Sequence, residues 1–353
     1  MRFAFTEEQR AFGRAVADVL ARSCPPEVVR QARADPGVRA GPVWRSVADL
    51  GLIGLMVPEE HGGIGGDEIL AVTAYEQTGR AALPCPIVET AAVAPVLLTA
   101  LPDVAQAWLP RIAAGEAVVA VRSPLSPYVL DADVADLLLI CEDGTVRATP
   151  PGLVELTPQP AVDPARRLFT VKAHDAKRLP RAASPAATAV IGRAVLVGAV
   201  LTAAQLLGAG RRLLDDAVAY AGKRRQFGEP VGSFQAVKHR LADALMALEF
   251  AAPLVHRAAW TLARWRGAPG EPLTARRDAS AAKVAAGEAA GRAARAALQV
   301  HGAIGYTSEL DLQLWLTRVW SLRAAWGDEA YHRSVLRTAL LDGDAPPRPE
   351  RVP

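Results

Sequence analysis

From Asp175 to Asp215 the chain carries no acidic residue between those two ends, and inside that interval runs VIGRAVLVGAVLTAAQLLGAG, residues 190–210. A helix this apolar on every side must be covered all round, by protein or by lipid. Its uninterrupted part, 194–210, contains glycine and stops at Arg211 and Arg212. That is short of the ~18–20 apolar residues a membrane span takes, so the expectation is the central helix of a soluble protein, with no membrane span.

Around this helix the texture of the chain changes twice. Thr6 followed by Gln9 forms a capping box, and Phe12, Val16, Val19 and Leu20 then recur at helical spacing. VWRSVADLGLIGL (43–55) and DEILAVTAYEQTGRAA (67–82) read as further helices, separated by the turn VPEEHGGIGG. Between 116 and 182 come short apolar runs, VVAVRS, ADLLLICED, GLVELT and RLFTVKAHD, punctuated by proline, glycine and aspartate, which is strand texture. Long alanine-rich helical pieces return from about residue 186, with a break at GAPGEPL (267–273). The expected fold is α+β and mostly α: a helical N-terminal domain (1–115), a small middle β domain (116–185) and a C-terminal helical domain (186–353).

Several classes of function are set aside at this level. The 353 residues are 51% apolar with a net charge of +3, and the arginines are scattered, so nucleic acid is not an expected partner. Cys24, Cys85 and Cys141 are far apart without CxxC spacing; they read as free thiols, and no metal site is read from them. MRFAFTEEQR lacks the apolar core of a signal peptide, which makes the cytoplasm the expected location. HGGIGG follows a helix and has no lysine or fixed glycine spacing, so it reads as a turn with no cofactor role.

Two motifs are more specific. RRQFGEPVGSFQAVKHRLAD (224–243) joins an arginine to an aromatic-glycine turn and a glutamine that opens a helix; QVHGAIGYT (299–307) ends a helix in a glycine-punctuated turn. Taken singly, each is ordinary helix punctuation, with Phe227 and Phe234 as core anchors and Gly302 and Gly305 as a stop. Both together, in this order and behind a helix-strand-helix chain, resemble the acyl-CoA dehydrogenase family. FTEEQRAF, LGLIGLMVPEEHGGIGG and WLPRIAAGEAVVA (108–120) resemble that family's N-terminal pattern as well.

The resemblance implies a C-terminal four-helix bundle, a middle domain like a β barrel, FAD as cofactor and an acyl-CoA thioester as substrate. It also implies that the arginine of the RxQFG motif, the aromatic beside it and the QxxGGxG turn meet the pyrophosphate and adenosine half of an FAD whose flavin lies in a neighbouring subunit. Here those positions are Arg224, Phe227, Gln299 and Gly302, with Gln235 a further candidate for the same surface. The chemistry agrees on its own terms: a guanidinium offers a planar fork to phosphate oxygens, and glycine lets backbone approach closely. Ala303 departs from the family's second glycine.

The family removes a proton beside the thioester carbonyl with a carboxylate, commonly a glutamate directly before a glycine after the last amphipathic helix. Counting without gaps from Gln299 puts Trp326 at that position and Gly327 at the glycine. The base has become an indole. The family's other location for the glutamate, on the first long C-terminal helix, fails here because that helix has no acid. Asp328 and Glu329 lie nearby, but on a loop at Gly327 their direction would have to be rebuilt; His332 reads as a surface or capping residue.

The middle region departs in the same direction. Where the family has a threonine-glutamate-proline and a glycine-serine-aspartate loop, this chain has RSPLSPYVLDADVADLL, and no tryptophan occurs between Trp108 and Trp260. The resulting expectation is a subunit without a base that completes the FAD site of a catalytic paralogue, as in two-subunit α2β2 acyl-CoA dehydrogenases acting on bulky acyl groups such as steroid side chains. The rivals are a self-sufficient homotetramer using Asp328 or Glu329, and a flavin-free acyl-CoA binder or scaffold. Exposed aromatics such as Trp315 and Trp320 are expected to drive oligomerisation.

Overall fold

The computed structural model describes residues 5–35, 37–38, 41–174, 179–265 and 273–341; residues 267–272 of the expected GAPGEPL break lie outside the described residues. Thr6 opens α1 (Glu7–Ser23) as read: its hydroxyl accepts the Gln9 N–H at 3.2 Å and the Gln9 side chain accepts the Thr6 N–H at 2.9 Å. After α2 (Pro26–Ala32), the helix expected over 43–55 ends early. It covers only Pro42–Asp49 (α3), because Gly51 turns left-handed at φ 84° and the Leu52 N–H returns to the Val47 carbonyl. α4 (Glu68–Arg80) starts where the Asp67 side chain accepts the Leu70 N–H. A π-helical turn, Glu89–Val93, runs into α5 (Ala94–Leu98), and α6 (Pro102–Ala113) follows.

Seven short strands come next: β1 (Val119–Arg122), β2 (Tyr128–Leu130), β3 (Leu137–Glu142), β4 (Thr145–Thr149), β5 (Val154–Gln159), β6 (Leu168–Ala173) and β7 (Arg181–Ala183). They form two sheets, in the orders β1-β3-β4-β7 and β2-β6-β5, with β1 and β3 parallel and the other pairs antiparallel. Alternation along β1 and β3 splits their side chains. Ala120 and Leu138 join Val129 and Phe169 in a small cluster of their own, while Val119, Val121, Leu137 and Leu139 enter the main core.

The acid-free stretch becomes the middle of α7 (Pro185–Lys223), opened by the Ser184 side chain on the Ala187 N–H. A two-stranded hairpin, β8 (Arg225–Gln226) and β9 (Glu229–Pro230), leads to α8 (Gln235–Trp265), α9 (Leu273–His301), α10 (Leu312–Ala324) and α11 (Glu329–Leu341). α7 has the length and apolarity of a membrane span, with a mean hydropathy of 1.9 over its most apolar window. That window is 83% buried inside the protein, so its apolar surface is already covered. α4 crosses α7 in near backbone contact: a Cβ added at Gly208 would lie 1.8 Å from the Glu76 carbonyl oxygen. On the other side α9 presents buried alanines, among them Ala279, Ala282, Ala286, Ala290 and Ala293, which keep the helix axes close.

The fold class agrees with the reading of the sequence, but Trp315 does not. It is 2% exposed; its indole N–H donates to the Arg80 carbonyl at the end of α4, and Arg212 lies over its ring. The last turn of α4 needs a donor and the ring needs cover, and one position on α10 answers both. Trp320 is 44% exposed, as expected.

Candidate functional site

α10 ends at Ala324, Ala325 is extended, and Trp326 and Gly327 both take left-handed φ, 56° and 96°. For an indole-bearing residue that conformation costs roughly 1–2 kcal/mol and persists only where its surroundings over-determine it. Those surroundings are explicit. The buried Lys283 of α9 donates to the carbonyls of Arg323 and Gly327, at 3.0 Å each. His332 Nε2 donates to the Trp326 carbonyl and its Nδ1 accepts the Ser280 hydroxyl, both at 3.0 Å. His332 is therefore fully buried and not the surface or capping residue the sequence suggested. Burial pushes its pKa down to about 4, and Lys283 adds to the shift. Lys283 itself is pushed down to about 7, again chiefly by burial.

With its backbone held from α9 and α11, Trp326 turns its ring inward. The indole is 7% exposed. A Cβ added at Gly198, in the middle of α7, would fall 2.3 Å from the indole Cδ2, so the ring fills the space that a side chain on α7 would occupy. Its Nε1 donates to Glu89 Oε1 at 3.3 Å.

Glu89 is the residue the sequence reading missed. It is 4% exposed and lies in the π-helical turn, a deviation common at functional positions. Arg166 is also buried; that burial pushes its pKa down, while Glu89, Asp131 and Asp163 pull it back up. Arg318 donates to Asp163 at 2.6 Å and to the Leu83 carbonyl at 2.7 Å. Glu89 thus links the indole to a buried set of charged groups that includes Arg166. Its one signal in the sequence is a single carboxylate within the otherwise apolar PCPIVETAAVAPVLL (84–98).

The two loop carboxylates have other work. Asp328 accepts the Tyr331 N–H at 2.8 Å and caps α11. Glu329 pairs with Arg333 and Arg323, at 2.9 and 3.0 Å; the Arg333 hydrogen bond, with help from Arg323, holds its carboxyl below the usual carboxylate range. In place of the family's middle-domain loop, residues 123–127 make a tight turn in which the Leu125 and Ser126 N–H groups both return to Ser123.

The other candidates gather at one end of the helical domain. Tyr220 near the end of α7 stacks on His301 at the end of α9, centroids 4.3 Å apart, which brings the two helix ends together. Arg224 caps α7 and its carbonyl accepts the Val231 N–H at 2.7 Å; its exposed guanidinium has no carboxylate partner among the described residues. β8 and β9 are joined by just Phe227 and Gly228, both left-handed at φ 54° and 88°, as a two-residue hairpin requires. That turn drives Phe227 into solvent. It is 93% exposed, with Phe234, 37% exposed, edge-on at 6.2 Å. Neither is a core anchor, because the chain before α8 leaves the helical layer before it returns. Gln235 opens α8 and is exposed, as is Gln299 in the last turn of α9. Gly302 takes φ 63° with open space where a Cβ would be, and Ala303 is exposed. An unpaired guanidinium, two exposed amides, a protruding ring and an open glycine fit a flat ligand bearing phosphates.

Comparison with known proteins matches the chain in two blocks. The model of the acyl-CoA dehydrogenase N-terminal domain matches residues 6–116 and that of the C-terminal domain matches residues 188–341. Acyl-CoA dehydrogenase IpdE2 of Mycobacterium tuberculosis is 34% identical over 314 residues, 88% of this chain and 91% of that protein. IpdE2 of Mycolicibacterium smegmatis is 31% identical over 318 residues, 89% and 92% of the two chains. Among solved structures, the ChsE4-ChsE5 complex from Mycobacterium tuberculosis superposes with a TM-score of 0.82 at 22% identity, covering 98% of this chain and 100% of the other.

Proposed function

The chain belongs to the acyl-CoA dehydrogenase family of FAD-dependent oxidoreductases, and from that premise we propose that it is the subunit without a base in a two-component enzyme, completing the FAD site of a catalytic paralogue. One observation carries the reading. Trp326, which a gap-free count from Gln299 puts where the family commonly has its glutamate, is locked left-handed with its ring against Gly198 and Glu89.

FAD, when bound, supplies the hydride acceptor for α,β-desaturation of an acyl-CoA thioester. The residues of this chain act on the other half of that cofactor. Arg224 would donate to its diphosphate, Phe227 would cover a flat face, Gln299 and Gln235 would offer amide contacts, and Gly302 would let the backbone come close. Around Trp326, by contrast, each nearby carboxylate among the described residues already has a partner. Asp328 is committed to its cap, Glu329 to two arginines, and Glu89 to the indole N–H amid buried cations. That the ChsE4-ChsE5 structure, which shares this fold, is a complex of two chains supports a heteromeric assembly.

A dye-reduction assay on four preparations tests this: the chain alone, its complex with a paralogue that has the glutamate, that complex with the paralogue's glutamate replaced, and the complex carrying Asp328→Asn with Glu329→Gln here. The expected result is turnover in the second and fourth only. Robust turnover by this chain alone, lost when Asp328 and Glu329 are neutralised, overturns the proposal in favour of a self-sufficient homomer.

A further inference from the structure

We propose that Glu89 is a two-position carboxylate, bonded to the Trp326 indole while the ring is seated against Gly198 and to the Arg166 guanidinium when the ring swings out. The ring is then a displaceable plug. Such a device operates in this chain whether or not a catalytic paralogue completes the enzyme.

Arg166 lacks what a buried guanidinium needs. It is 9% exposed, its Nε is buried without a hydrogen-bond partner, and it makes no ion pair among the described residues. A charge held that way is costly unless an anion can reach it. Three acids lie around it, and two of them are engaged by the backbone on either side. Asp163 accepts the Ala165 N–H at 3.0 Å, with its other oxygen on Arg318 at 2.6 Å, and Asp131 accepts the Arg167 N–H at 3.2 Å. Glu89 has capacity left. Among the described residues its carboxylate makes one hydrogen bond, through Oε1 to the indole, and of the three acids it acts most strongly on Arg166.

The bond that holds the ring is a weak one. At 3.3 Å it is longer than the ~2.7–3.2 Å of a well-formed N–H···O bond, whereas a guanidinium can give a carboxylate two parallel bonds. What favours the seated position is burial of the ring, since Trp326 is 7% exposed and its indole fills the space at Gly198. The two positions therefore exchange apolar burial for an ion pair, and opposing terms of this kind leave both populated.

Only side chains need to move. Beside Glu89, Thr90 Oγ1 donates to the Val119 carbonyl at 2.9 Å and accepts the Val119 N–H at 3.0 Å. The Arg166 N–H returns to the Asp163 carbonyl at 2.9 Å, and Lys283 and His332 hold the turn at Trp326. With three backbones fixed, the exchange reduces to χ rotations of Glu89, Arg166 and Trp326. Ala324 and Asp328, on either side of the turn, are exposed, so the ring has solvent to swing into.

Hydrogen exchange at the indole nitrogens reads the two positions. The full chain is isotope-labelled at those nitrogens, and the Trp326 signal is identified by its loss in Trp326→Phe. Trp44 and Trp315 are internal controls, each 2% exposed and donating to a backbone carbonyl, of Gly115 and Arg80. Because Arg166 stabilises the swung-out position, Arg166→Gln should slow exchange at Trp326 roughly tenfold and leave both controls unchanged. Arg166→Lys, which keeps a cation, should stay close to the wild-type rate. In a Glu89→Gln background, Arg166→Gln should change nothing. Faster or unchanged exchange at Trp326 in Arg166→Gln, with the controls steady, overturns the device. So does a slowing that persists in the Glu89→Gln background, which would mean that Arg166 acts through another group. Where Arg166→Gln loosens the whole fold and quickens all three indoles, Arg166→Met, which fills similar space without charge, repeats the measurement; quickening of all three there as well also overturns the device.

Discussion

The indole of Trp326 occupies the space that a side chain at position 198 would need, and position 198 is glycine. The two residues are far apart in sequence and explain each other. This chain has a ring on one helix end and room for it on α7. Glu89 then ties the ring down through its N–H.

Gly198→Ala should destabilise the chain by ~1–3 kcal/mol, because the added methyl meets the ring and neither helix can move cheaply. In a Trp326→Leu background the same alanine should cost much less. Urea denaturation of the four members of this cycle gives the coupling energy, and additive effects would remove the contact from the argument.

Trp326→Glu should not create a dehydrogenase. The new carboxylate would arrive beside Glu89 in a desolvated site, where two like charges cannot both ionise easily. Dye reduction by the purified variant alone should stay at background, and adding Glu89→Gln should recover stability without recovering turnover.

His332 predicts an acid sensitivity. Its pKa is pushed down to about 4 by burial, against ~6.5 in the unfolded chain. The unfolded state therefore binds more protons throughout pH 4–6.5, and this group lowers stability as pH falls through that window while contributing no pH dependence above it. His332→Gln keeps a donor for the Trp326 carbonyl and cannot charge. Its stability difference from wild type, followed by urea titration, should move in the variant's favour between pH 6.5 and pH 4.

Arg224→Ala should remove flavin from the assembled complex at a cost of ~1.5–3 kcal/mol in binding, with helical circular dichroism unchanged, since the guanidinium touches no carboxylate that folding depends on. Visible absorbance after desalting measures it. Unchanged occupancy would mean that the cofactor lies elsewhere.

Local rules determined a good deal of this protein from its sequence alone. The Thr6 and Gln9 box, the helix over the acid-free stretch and the strand texture depend on neighbours within a few residues, and all appear as read. The tryptophan ahead of Gly327 at the end of α10 was visible for the same reason, since a count along one chain locates it. Tertiary structure alone decided what surrounds each side chain. Trp315 is buried because the end of α4, in a distant segment, needs its N–H; His332 because Ser280 and the Trp326 carbonyl need its nitrogens; and Phe227 is exposed because a two-residue hairpin points it outward. Glu89 shows the limit most clearly. A carboxylate in an apolar run signals a buried partner, but which partner depends on α10, α7 and a π-helical turn meeting at one point. Periodicity reports the face a residue occupies on its own element and carries no record of what that face meets.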